Sequence, residues 1–338
     1  MNHKTSQSPV QTPADETCRE PSIIDIHAHF LPEFYRLALV EAGHQHPDGI
    51  PYIPEWSAER HLECMDRLGI ATAILSVSSP GVHFGDDIRA RQLSRRINDE
   101  GRRLCDAYPE RFGFFASLPL PDVQGAIAEA TRALDVLNAD GIVVETNHHG
   151  VYLGDPCLEP LYSELNRRAA VVFVHPTSPQ CSCCERLDRI YPRPMLEFVF
   201  ETTRSITDLV LSGVPNRYPD IRFVVPHAGA VLPAVTERVE MFRPLLQSGT
   251  AEVPSLRDAM QKLHFDLAGA PVPIQLGALL ELADPMRLHY GSDFPFTPEN
   301  VCAVLLAKIG NTEQLEIAER ARILRENSIG LFPRFASR

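Results

Sequence analysis

Eight short apolar runs, each parted from the next by a longer stretch, limit what this chain can fold into more than any other feature. The runs are Ser22–His29, Ala71–Val77, Phe112–Leu118, Gly141–Thr146, Val171–His175, Arg222–His227, Lys262–Leu267 and Arg287–Asp293. Most are rich in β-branched and aromatic residues and near-continuously apolar, as in parallel strands buried on both faces. Between them, Ala90–Tyr108, Asp122–Asn138, Leu196–Ser212 and Val231–Leu246 carry apolar residues at helical spacing, and Asp122 stands where an N-cap belongs. Strand–helix alternation repeated in this way predicts a closed (β/α)8 barrel of the TIM type, in the α/β class. An open doubly wound sheet competes, but for its usual ligands it needs a glycine-rich phosphate loop after the first strand, and none follows Ser22–His29.

A chain of 338 residues accommodates one such barrel over residues 21–338, behind a polar leader, residues 1–20, read as disordered. That leader lacks the apolar core of a signal peptide. Long connections at about 30–57 and 176–194 interrupt the alternation after the first and fifth strands. In a barrel such loops rise from the catalytic face, so they are expected to wall or cover a substrate. A net charge of -12 without a basic stripe argues against nucleic acid and against an anionic membrane surface. No run reaches the roughly 18 apolar residues of a membrane span. The eight cysteines are scattered, which fits reduced thiols and a cytoplasmic location. Cys181, Cys183 and Cys184 lack a clear partner pair and read as loop cysteines rather than a metal clip.

Ionisable residues gather at the ends of the expected strands. His27 and His29 close the first, His175 the fifth, His227 the sixth and Asp293 the eighth. The C-terminal ends of barrel strands open onto one face, and residues two apart on a strand point the same way. Imidazoles with a carboxylate suit one borderline divalent cation, Zn²⁺ first and Mn²⁺ as the alternative. Trp56, Phe84, His148 and Phe296 fall on or beside loops of that face and are candidates to line an aromatic pocket. Asp25, two residues before His27, is a candidate support for the metal ligands.

The segments Ile24-Asp25-Ile26-His27-Ala28-His29, His175-Pro176, His227-Ala228-Gly229 and Gly291-Ser292-Asp293-Phe294-Pro295-Phe296 resemble the signature of the amidohydrolase superfamily. More narrowly, the chain resembles the aminocarboxymuconate-semialdehyde decarboxylase group, with 6-methylsalicylate decarboxylases nearest through Gly49–Trp56, Leu75–Gly81 and Asn147–Asp155. The resemblance implies that His27, His29, His175 and Asp293 hold a metal and that His227 is an acid/base group beside it. It also implies a homodimer in which Arg238, on the helix after the sixth strand, reaches the neighbouring subunit's site. Arg204 is a further candidate for binding carboxylate. Two-metal relatives carry a bridging lysine at the end of the fourth strand. Here that place reads Val144-Glu145-Thr146-Asn147, so one metal ion is expected, with Glu145 the only stand-in for the bridge. Where the semialdehyde decarboxylases use a loop arginine, this chain has Gly49-Ile50-Pro51-Tyr52-Ile53-Pro54, which counts against their substrate.

The expected reaction is the nonoxidative decarboxylation of a small aromatic acid of the salicylate type, with 6-methylsalicylate foremost, giving CO2 and a phenol. The ring carbon needs a proton as CO2 leaves, and either His227 or Asp293 is placed to give it. The alternative on the same fold is a metal-dependent hydrolase or hydratase of a lactone, amide or unsaturated dicarboxylate. A noncatalytic scaffold is a third reading, which the intact set of metal-type residues opposes.

Overall fold

The computed structural model describes residues 22–180, 190–246 and 253–336. The leader, residues 1–20, and the cysteines Cys181, Cys183 and Cys184 lie outside the described residues.

Eight strands form one parallel sheet in chain order: β1 (Ile23–His29), β2 (Ile70–Ser76), β3 (Phe112–Ser117), β4 (Gly141–Glu145), β5 (Val171–His175), β6 (Arg222–Val225), β7 (His264–Asp266) and β8 (Leu288–His289). Every residue of β1 to β5 is buried, as continuous apolar runs require. The ring closes between β1 and the residues that follow β8. An isolated parallel bridge joins Ala28 to Phe294, Ile26 N–H donates to Tyr290 C=O at 3.0 Å, and His29 N–H donates to Phe294 C=O at 2.8 Å.

The C-terminal ends of β1 to β5 and β7 fall within one residue of the sequence expectation, and two fall further short. Strand β6 stops at Val225 rather than at His227, and β8 stops at His289 rather than at Asp293. Pro226 has no N–H to give a ladder, and the His227 N–H turns instead to the Asp266 carboxylate at 3.0 Å. Beyond β8, the N–H groups of Ser292 and Asp293 both reach His27 C=O, at 3.2 and 2.7 Å, so the seam is irregular backbone. Both side chains still face the rim, carried by left-handed backbone at φ 54° for His227 and 60° for Asp293. Such values cost a non-glycine residue about 1–3 kcal/mol and persist only where the surroundings enforce them.

The barrel interior is filled by Ile24, Ile26, Ile74, Phe115, Val143 and Phe173, with Leu331, Phe332 and Phe335 of the C-terminal segment completing the cluster. Phe115 and Phe173 stack at 5.2 Å. A larger apolar layer lies between the strands and the helices. The longest helix, α1 (Asp87–Ala107), shows why that layer forms. Asp86 caps it by accepting the Arg89 N–H, and Ala90, Ser94, Ile97, Gly101 and Leu104 recur at three- and four-residue spacing on its buried face. The helix α2 (Val123–Asp135) is capped by Asp122, as its sequence predicts. The stretches expected at Leu196–Ser212 and Val231–Leu246 form α3 (Glu197–Leu211) and α4 (Leu232–Phe242).

The first long connection folds into a helix, Glu33–Glu41, and a short turn, Pro47–Gly49. It meets the segment after β5, where the Ser178 hydroxyl donates to the Asp48 carboxylate. Among the described residues no helix is long and apolar enough to cross a membrane.

Candidate metal centre and active site

Strand β1 delivers the first two imidazoles. A register shift lies between Asp25, opposite Ala73, and Ala28, opposite Leu75, so β1 spends three residue steps where β2 spends two. This bulge lets Ile24 and Ile26 fill the interior while His27 and His29 both turn inward above them. The His27 ring packs edge-on against Phe173 at 4.8 Å, directly over that apolar floor.

One ligand atom from each of His27, His29, His175 and Asp293 lies within 4.8 Å of the others. His29 Nε2 is 3.1 Å from Asp293 Oδ1, and His27 Nε2 is 3.6 Å from the same oxygen. The centroids of the His175 and His29 rings are 4.9 Å apart. Each imidazole is fixed through its other nitrogen. His27 Nδ1 bonds the Asp266 carboxylate at 2.9 Å, His29 Nδ1 lies 3.0 Å from the Ser76 hydroxyl, and His175 Nδ1 bonds Pro176 C=O at 2.8 Å. That arrangement selects the tautomer whose Nε2 lone pair faces the centre. His27 Nε2 is buried without a hydrogen-bond partner, an arrangement a cation at that point would satisfy. Three imidazoles and one carboxylate fit a divalent ion of the zinc or manganese kind.

The electrostatics follow the same layout. Burial opposes charge on His27, but the Asp266 carboxylate beside it raises the pKa to about 9, so a cation binding at Nε2 would displace a proton. Burial likewise opposes the Asp293 carboxylate, yet the imidazoles of His227 and His29 hold it well below the usual carboxylate range. Burial, reinforced by the neighbouring imidazoles His29 and His27, keeps His175 neutral, as a metal ligand must be.

His227 stands at the edge of the cluster, with Nε2 3.8 Å from Asp293 Oδ2 and its ring 5.1 Å from that of His27. Its backbone is clamped by the Asp266 carboxylate and by the Gln275 amide, which donates to His227 C=O at 2.6 Å. Asp25 supports the seam from below, its Oδ1 accepting the N–H groups of His27 and Ser292. Asp266 and Gln275 were not singled out by sequence reasoning. The one signal for Asp266 is an acidic residue inside the apolar run Lys262–Leu267.

The structure distributes the other candidates unevenly. Phe296 packs 5.5 Å from the His29 ring. Phe84 and His148 line a cavity of about 250 Å³ beside the cluster. Trp56 faces a separate cleft with Arg36, donates its indole N–H to His61 Nδ1 at 2.9 Å, and packs edge-on against Phe30. The exposed Arg204 pairs with Glu201 one turn before it, and the exposed Arg238 stacks on Phe242 of its own helix α4. Glu145, the stand-in for a bridging lysine, is buried with Oε2 3.6 Å from His175 Nδ1.

Comparison with known proteins adds to this geometry. The sequence profile of the amidohydrolase family matches residues 24–334. A 6-methylsalicylic acid decarboxylase of Aspergillus aculeatus is 36% identical, over 92% of this chain and 96% of its own. Among solved structures, an amidohydrolase superposes with a TM-score of 0.87 at 36% identity, covering 92% of this chain and 100% of the other. A dihydroxybenzoic acid decarboxylase of Polaromonas, holding manganese and the inhibitor 2-nitroresorcinol, superposes with a TM-score of 0.79 at 23% identity, over 92% and 97% of the two chains.

Proposed function

This chain belongs to the amidohydrolase family, and from that premise we propose that it is a nonoxidative decarboxylase of a small aromatic acid of the salicylate type, with 6-methylsalicylate as its foremost substrate. The observation that carries the reading is the convergence of His27, His29, His175 and Asp293 on one rim with His227 beside them. The relatives that act on 6-methylsalicylic acid match nearly the whole chain, which supports the choice of acid.

His27, His29, His175 and Asp293 would hold one divalent ion, Zn²⁺ in our first assignment and Mn²⁺ in the second. When bound, the ion supplies Lewis acidity that offsets charge on the carboxylate and ortho-hydroxyl oxygens of the acid. Asp266 and Ser76 keep the imidazoles of His27 and His29 in the ligating tautomer. His227 and Asp293, both only partly exposed at the rim, are the groups placed to relay a proton to the bound acid. One of them takes a proton from the acid's ortho hydroxyl or from water, Asp293 being ionised until it does so, and passes it to the ring carbon that bears the carboxylate, forming a C–H bond. The C–C bond then breaks, its electron pair restores the aromatic ring, and CO2 departs. Phe296, its ring 5.5 Å from that of His29, offers an apolar face beside the cluster. The free thiols of Cys64, Cys105, Cys157 and Cys302 agree with a cytoplasmic location. We assign a homodimer on the family resemblance, with Arg238 directed to the partner's site.

Metal-loaded protein given 6-methylsalicylate should release CO2 and 3-methylphenol in equal amounts. Absence of either product across a panel of hydroxybenzoates, together with hydrolysis of a lactone or amide, would transfer the site to the hydrolase alternative.

A further inference from the structure

The cleft that Trp56 faces has a volume of about 590 Å³ and opens among the helices Glu33–Glu41, Ala58–Leu68 and Glu299–Asn311. Small-molecule sites occupy roughly 300–1,000 Å³, so it has room for one. It shares no lining residue with the cavity beside the metal cluster, and none of His27, His29, His175, His227 and Asp293 lines it. Tyr52, Trp56 and Phe294 give it aromatic walls, which Pro54, Pro295 and Pro298 extend. Trp56 is held in place, its indole N–H donated to His61 Nδ1 and its ring edge-on to Phe30. The charged part of the lining is three arginines and three glutamates. Arg60 pairs with Glu55 at 3.2 Å, and Arg67 pairs with Glu299 and, at 3.7 Å, with Glu63. The partly buried Arg36 has no carboxylate partner among the described residues, and its Nε is buried without a hydrogen-bond partner. A guanidinium keeps its charge at any ordinary pH, so an unpaired one at the edge of an apolar wall is a standing site for an anion.

We propose that this cleft is a second binding site, apart from the metal centre, for a flat monoanion of the aromatic carboxylate class, with its carboxylate on Arg36 and its ring against the aromatic and proline walls. The one unmatched cation sets the charge of the ligand. A phosphate dianion or a dicarboxylate would bring a second negative charge among Glu55, Glu63 and Glu299, with Arg36 alone uncommitted. A single carboxylate instead matches the guanidinium fork with two parallel hydrogen bonds. The walls set the shape. Indole, phenol and phenyl groups gain most from a planar apolar body that meets them face to face with an offset or edge to face. An aliphatic acid would use Arg36 and leave those walls wet, and a neutral ring would use the walls and leave the cation unpaired. The site stands whether or not the metal centre decarboxylates.

Trp56 is the chain's only tryptophan, so its fluorescence reports on this cleft. Benzoate, which lacks the ortho hydroxyl of a salicylate, is titrated into the full-length, metal-loaded protein, with phenol and acetate alongside. Benzoate should quench Trp56 saturably, and phenol and acetate, each carrying one half of the ligand, should need about tenfold more. Arg36→Gln should weaken benzoate about tenfold while turnover of 6-methylsalicylate stays within about twofold. Arg36→Lys, which keeps the charge and loses the fork, should recover part of the loss. In His175→Ala the benzoate midpoint should stay within about twofold of the wild type, because the metal centre takes no part. A quench that survives Arg36→Gln, that phenol or acetate matches, or that vanishes in His175→Ala overturns the proposal. The comparison of the three probes on the wild type needs no variant, so it decides the matter should either substitution fail to fold. The same pattern of quenching without CO2 release from any acid would remove the decarboxylase reading and leave the cleft as assigned.

Discussion

A single carboxylate, Asp266, holds three parts of the centre together. It bonds His27 Nδ1 at 2.9 Å, accepts the His227 N–H at 3.0 Å, and accepts the Ala268 N–H at 2.9 Å. Asp266→Asn keeps the shape but loses the charge that fixes the His27 tautomer. We expect metal affinity to fall about 10- to 100-fold with the fold intact, as read by competition with a chelator and by circular dichroism. Unchanged affinity would leave Asp266 a purely structural link. The buried His61 makes a second case. Burial, with the neighbouring His29 and Arg111 adding to it, pushes its pKa down to about 3, and its Nδ1 accepts the Trp56 indole N–H. The unfolded chain takes up that proton near pH 6.5 and the folded one does not until about 3, so this group removes stability as pH falls through that window. His61→Gln can still accept from Trp56 but does not titrate, so acid unfolding should move to lower pH; an unmoved midpoint contradicts this. The metal ligands are legible in the sequence because each closes or follows an apolar run. Asp266 is not, because its partner His27 is 239 residues away and only the closed ring brings them together.

The elements that matter most are the irregular ones. A bulge in β1 sets both of its imidazoles above the apolar floor, and the seam after β8 carries Asp293 on left-handed backbone. The seam is tight at Gly291, where an added Cβ would lie 2.7 Å from His27 Cβ. Gly291→Ala should therefore push β1 and the seam apart, costing about 1–3 kcal/mol in denaturant unfolding and weakening metal binding with it. A variant as stable and as metal-loaded as the wild type would show the seam to be looser than described. Periodicity located all eight strands, since their apolar runs are unmistakable. It overran the ends of β6 and β8, because Pro226 and the Asp293 turn continue an apolar-looking run while the hydrogen bonds go elsewhere. The contact between Asp48 and Ser178, which joins the two long connections, carries no periodic signal and was invisible beforehand.

At the scale of the whole molecule, the barrel turns distance along the chain into proximity. Residues 27, 29, 175 and 293 come from β1, β5 and the segment after β8, and only ring closure makes them neighbours. The order of the motifs was enough to read the fold and the metal cluster. Of the cavity beside it only Phe84 and His148 were legible; Val82, Leu118, Val143 and Glu145 were not, because they line it from three separate strand–loop junctions. One catalytic ion should bind this cluster. Metal content measured by mass spectrometry alongside 6-methylsalicylate turnover tests it most directly, in the wild type and in His175→Ala. Each wild-type chain should carry one ion and release CO2, and the variant should lose both. A His175→Ala protein that keeps its full complement of metal and its turnover would contradict it.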